Sequence, residues 1–346
     1  MTGLGSSLGR LALLSWTLVF SACLSPVQDA GRSPATGPVA SVTAPATSSS
    51  RFTVTSQPSP QASPTNVPLA TEPLTIQPSP TSTNAACTGK ARVVKSNLNS
   101  AIAGGPVAFR VYLPPCYGEL GRTYPALYMF HGSAHTDSHW DDLGLDETAT
   151  QLIEADAIPP LLIIMPSGNP LAQNSSGGPW SFEGLVMQEL IPAVEAAFCV
   201  WPEPGGRAIG GLSRGGYWAL EIAFRHPGQF ASVGGHSAAL LDTYAGADLN
   251  PRYAGVNRDL GDLRIYLDIG RDDWVLPQLL DLHDALVDKG VTHTWQLNEG
   301  EHTDEYWAAN SAAYLRWYTS PWTRNPLIPP PCQHPPPTDQ PLRPEN

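Results

Sequence analysis

Charge is scarce in this sequence, and basic charge scarcer still: 14% of its 346 residues are charged, with 19 Lys and Arg against 31 Asp and Glu. Over residues 87–322 the balance is 14 basic to 27 acidic, and no basic stripe interrupts it. A surface of that sign repels polyphosphates, which argues against a nucleic-acid partner. No apolar run approaches the ~20 residues that a membrane-spanning helix needs. No cysteines stand at CxxC spacing, so a structural zinc is not expected. No internal repeat is present, and nothing in the chain calls for a cofactor.

What is present begins with Arg10, followed by the apolar stretch Leu11–Phe20 and the small residues of "SAC" ending at Cys23. A charged start, a short apolar segment and small residues before a cleavage point read as an export signal over 1–23. "FSAC" resembles the lipobox of bacterial lipoproteins, with Phe20 where that pattern prefers Leu. The expectation is an extracytoplasmic protein held at a membrane surface by lipid on Cys23, without spanning the bilayer.

Five cysteines fit one lipidated and four paired, since an exported chain meets oxidising conditions. Cys87 and Cys116 flank two strand-like runs joined by "SAIAGG". Antiparallel pairing about that turn favours Cys87–Cys116 and leaves Cys199–Cys332.

Proline accounts for 36 residues, many of them in two tracts. Residues 24–86 are rich in Pro, Ser, Thr and Ala, lack apolar periodicity and read as an extended tether. Residues 323–346 form a Pro-rich tail that Cys332 can staple back. Between them, 87–322 has the length of one large α/β domain.

Within that domain eight apolar runs of strand length appear, at 92–96, 107–113, 125–130, 161–166, 207–211, 231–235, 263–270 and 291–297. From the third onward, stretches with helical spacing alternate with them, at 144–156, 181–198, 215–227, 276–290 and 303–319. The alternation predicts a mostly parallel sheet of about eight strands with helices on both faces and an antiparallel hairpin at one edge.

Gly211-Leu212-Ser213-Arg214-Gly215 is G-x-S-x-G between an apolar strand and an amphipathic helix. That setting makes Ser213 a candidate nucleophile on a strained strand-to-helix turn, at a helix N-terminus that favours developing negative charge. A serine hydroxyl needs a base, and the base needs an acid. "IYLDIGRDDW" ends a strand and offers Asp272 or Asp273; "NEGEHTDEYW" offers His302 before the last helix. Ser, Asp, His in chain order is the arrangement of α/β-hydrolases. Two backbone N–H donors are also needed, and Arg214 and Ser133, in "FHGSAH", are the candidates. Asp268 lies inside its strand and reads as structural. His131, His135 and His139 are spaced four apart, but Gly132 and the strand end argue against a metal-binding helix face. His236 is expected to line the pocket, with a structural role as the equal alternative.

Together "VYLPPCYGELGRTYPALYMFHG", "MQELIPAVEAAF" and "AIGGLSRGGYWALEIAFRHPGQFASVGGHSAAL" resemble the esterase D family of α/β-hydrolases, over about Arg92 to Tyr318. The resemblance implies a serine carboxylic-ester hydrolase with Ser213 as nucleophile and His302 as base. The family's acid stands three residues after the glycine that ends its strand, which selects Asp273 over Asp272. Trp140 and Trp180 fall where the family places substrate-contacting residues. Cys116 replaces the glycine of the family's "PPGY" turn. The segment from His236 to Asp262 is too short for a large helical lid, so an open site is expected, suited to a bulky or polymer-borne acyl, acetyl or feruloyl ester, or equally to a small-molecule ester such as that of a siderophore. The same residues would equally serve acyl transfer, or a glycan-binding module without turnover.

Overall fold

The computed structural model describes residues 88–168, 170–322 and 330–332. The expected leader, the Cys23 lipid site, the linker and the Cys87 partner of Cys116 lie outside the described residues, as does most of the tail.

Eight strands form one sheet: β1 (Arg92–Ser100), β2 (Gly105–Leu113), β3 (Ala126–Phe130), β4 (Leu162–Pro166), β5 (Arg207–Leu212), β6 (Ser232–His236), β7 (Arg264–Gly270) and β8 (Thr294–Asn298). Their order is β1-β2-β4-β3-β5-β6-β7-β8. β1 pairs antiparallel with β2, and β2 with β4; every later pairing is parallel. The hairpin therefore sits at one edge, as its short "SAIAGG" turn predicts. Glu189 holds that turn, accepting from Ser100 Oγ at 2.5 Å and from the Ala101 and Ile102 amides.

The helices are α1 (His139–Asp142), α2 (Leu145–Glu154), α3 (Leu171–Asn174), α4 (Phe182–Gly184), α5 (Ile191–Ala197), α6 (Arg214–Arg225), α7 (Leu276–Asp288) and α8 (Asp304–Thr319). The short α1 and α3 carry too few turns to show a period in the sequence. The single helix expected over 181–198 is instead interrupted by a wide, π-type turn at Leu185–Leu190. Pro192, in the first turn of α5, has no N–H for the ordinary ladder, and the backbone widens just before it.

Strand side chains alternate between two apolar layers, which is why β3 to β6 are buried along their whole length. Tyr128, Phe130, Leu162 and Ile164 pack with α5, α6 and α7 on one face. Leu127, Met129, Ile163 and Met165 pack with α2 and α8 on the other. Cys199 and Cys332 are joined by a disulfide. Beside it Thr123 donates to the Pro330 carbonyl, through N–H at 3.2 Å and Oγ1 at 2.7 Å. Among the described residues no helix is long and apolar enough to cross a membrane.

Candidate active site

The turn between β5 and α6 sets Ser213 at φ 53°, ψ −119°, a left-handed conformation that a serine adopts only under constraint. The constraint is visible. Ser213 N–H donates to the His236 carbonyl at 3.0 Å, and its own carbonyl accepts from Tyr217 and Ala239. The flanking glycines are steric requirements. A Cβ on Gly211 would lie 2.5 Å from the Gly215 carbonyl carbon, and one on Gly215 would lie 2.3 Å from the Phe130 oxygen.

His302 reaches this turn from the loop before α8. Its Nε2 stands 2.9 Å from Ser213 Oγ, and its Nδ1 stands 2.9 Å from each carboxylate oxygen of Asp273. With Nδ1–H donating to the carboxylate, Nε2 is left as a lone pair facing the serine hydroxyl. Asp273 Oδ1 also accepts the Val275 N–H at 2.9 Å, which pins the carboxylate. Asp272 is exposed, and its N–H instead ties the acid loop to the Gly300 carbonyl at 3.0 Å. Position along the chain left two aspartates open; the geometry selects Asp273.

The anion site is built by neighbours. Arg214 is the first residue of α6, so its N–H has no acceptor within the helix. Ser133 follows the β3 loop, and its N–H has no acceptor among the described residues. His131 orients that peptide: Nδ1–H donates to the Gly132 carbonyl at 2.7 Å, while Nε2 accepts the Gly168 N–H at 3.0 Å. Both bonds require the neutral ring, and burial pushes its pKa down to about 4 against the Gly132 bond, which acts upward. Gln173 Nε2 bonds the Ser133 carbonyl and holds the next peptide as well. The Arg214 side chain turns away into a cage, donating to the Ala172 and Ser175 carbonyls with its guanidinium 3.9 Å from the Tyr244 ring centre. Burial lowers its pKa from the ordinary value, with Tyr217, Tyr244 and Glu221 acting upward.

Ser213 and His302 open onto a cleft of about 500 Å³ whose walls include Ser133, Tyr244, Trp274 and Trp307. Among the described residues no helical lid covers it: the segment between β6 and β7 holds only the 3₁₀ turn Gly255–Asn257. Trp274 is 58% exposed, with its ring centre 5.1 Å from that of His302.

Three expectations need correcting. His236 is fully buried: Nδ1 is 2.6 Å from Asp268, Nε2 is 3.0 Å from the Tyr318 hydroxyl, and the ring stacks on Tyr314. Trp140 is likewise buried, donating to the Phe130 carbonyl at 2.9 Å, and does not line the cleft. Trp180 is exposed but is not among the residues lining the cleft. The aromatic walls are Tyr244, Trp274 and Trp307. Of these only Trp274, next to Asp273, stood where the motif could have revealed it.

The family model described as "Putative esterase" matches residues 100–318. An esterase of Mycobacterium tuberculosis is 40% identical over 149 residues, which make up 40% of this chain and 30% of that protein. The chain thus spans less than a third of that relative's length. An acetyl esterase of Caldicellulosiruptor saccharolyticus is 25% identical over 223 residues, 55% of this chain and 82% of the relative. Among solved structures, a ferulic acid esterase superposes with a TM-score of 0.61 at 24% identity, covering 67% of this chain and all of that one. The likeness is one of fold, that of the α/β-hydrolases.

Proposed function

The chain belongs to the putative esterase family, and on that premise we propose that it is a serine carboxylic-ester hydrolase working through an acyl-enzyme. One observation carries the reading: the unbroken line of hydrogen bonds from Asp273 through His302 to Ser213 Oγ. Ser213 Oγ attacks the ester carbonyl while His302 Nε2 takes its proton, and Asp273 steadies the imidazolium. The Ser133 and Arg214 amides hold the oxyanion. As the tetrahedral adduct collapses, the C–O bond to the alcohol breaks and His302 returns the proton to the departing oxygen. Water, deprotonated by the same ring, then cleaves the acyl-serine and releases the acid.

The open aromatic cleft supports an acyl, acetyl or feruloyl ester, including one borne on carbohydrate, in keeping with the names of the relatives. From the N-terminal sequence we further propose export and lipid anchoring at Cys23; mass spectrometry of the mature N-terminus tests this, and an unmodified or differently cleaved terminus would refute it. For the chemistry, the test is hydrolysis of p-nitrophenyl acetate together with fluorophosphonate labelling. Ser213→Ala should abolish both. Undiminished turnover in that variant would end the proposal.

A further inference from the structure

The cleft that holds Ser213 is also lined by a second group of chemically capable side chains that ester cleavage does not use. His139, at the start of α1, is 98% buried, and its Nε2 lies 2.9 Å from Asp304 Oδ1 at the start of α8. The exposed His135 ring lies against His139 with centroids 3.5 Å apart. Donor atoms of His135, His139 and Asp304 all fall within 4.8 Å of one another. His139 Nδ1 is buried with no hydrogen-bond partner.

From this arrangement we propose that His135, His139 and Asp304 bind a divalent transition-metal ion of the zinc class, with its remaining coordination positions open to the cleft. Metal–ligand bonds of about 2.0–2.2 Å, at angles between about 90° and 110°, separate imidazole nitrogen from carboxylate oxygen by about 2.9–3.4 Å. The His139–Asp304 pair already stands at that separation. The ion replaces the shared proton, which moves from Nε2 to Nδ1 of His139 as Nε2 becomes a ligand. Two features limit affinity. Parallel rings cannot aim both lone pairs at one ion, so His135 turns out of its stack, which its exposure permits. The Nδ1–H of metal-bound His139 lacks the outer partner that usually strengthens such a ligand, and its absence weakens binding by about 10–100-fold.

The test is titration of the full chain with Zn²⁺ by calorimetry, and with Co²⁺ by visible absorption. Each readout is independent of catalysis and of the esterase reading. One ion should bind per chain, with the absorption of nitrogen- and oxygen-ligated Co²⁺. His135→Ala and Asp304→Asn should each weaken binding at least about tenfold. His283→Ala, which disrupts the separate His283–His293 pair, should leave it unchanged. Far-UV circular dichroism establishes that each variant is folded, and exposed His135 supplies a variant with little structural cost. No binding below millimolar Zn²⁺, or binding indifferent to both substitutions, would overturn the assignment.

Discussion

Asp268 lies within β7 and Asp273 three residues beyond its end, and the two carboxylates have different partners. Asp273 meets His302 beside the cleft, whereas Asp268 is fully buried and accepts from Tyr306 and Tyr314 at 2.8 Å each, with His236 Nδ1 2.6 Å away. One carboxylate orients a reacting group; the other knits α8 to the sheet.

Asp273→Asn should preserve the fold and lower kcat by about 10³–10⁴-fold, measured on a chromogenic ester. The amide can still accept from Val275 but can present its NH₂ to Nδ1, which favours the wrong imidazole tautomer.

Asp268→Ala should leave three buried polar groups without their acceptor. Chemical denaturation is expected to show a loss of about 3–5 kcal/mol, while Tyr314→Phe, which removes one donor, should cost about 1–2 kcal/mol.

His131 makes stability depend on pH. Its folded-state pKa, about 4, lies below the ordinary 6.5, so the unfolded chain binds the proton more readily. The contribution is complete above pH 6.5 and is lost as pH falls towards 4, amounting to about 3 kcal/mol. Urea midpoints of wild type and His131→Asn at pH 7.5 and 4.5 measure it; the variant should lose that part of the pH dependence.

Gly215→Ala should destabilise the domain by about 1–3 kcal/mol through its clash with the Phe130 carbonyl. It should also depress turnover further than the stability loss explains, because the displaced turn carries Ser213. Comparing denaturation midpoints with kcat at a temperature where the variant remains folded separates the two effects.

Reduction of Cys199–Cys332 opens a link across 133 residues and should lower stability by about 2–5 kcal/mol. Denaturation with and without reductant, repeated on Cys332→Ser, provides the check.

Local pattern carried far here. Strand runs and helix periods were legible because both record burial along consecutive residues. The turn at Ser213 was legible because only glycine tolerates the contacts made at 211 and 215. The lining of the cleft was not. His236 follows a strand towards the same end as Ser213, yet it sits directly across the β6–β7 pairing from Asp268, and that carboxylate draws it inward. Trp140 looked available for substrate, yet packing against Tyr314 and His236 buries it.

The amino-acid order alone determined an alternating α/β chain, the sharp bend bearing the serine, and the succession of serine, acid and histidine, since each depends on neighbours within a few residues. Only tertiary structure decided which aromatics face the cleft, and that His139 meets Asp304 from 165 residues away. Those outcomes depend on strand register and on how α1 and α8 seat against the sheet, distances that accumulate over the whole fold and leave no local period to read.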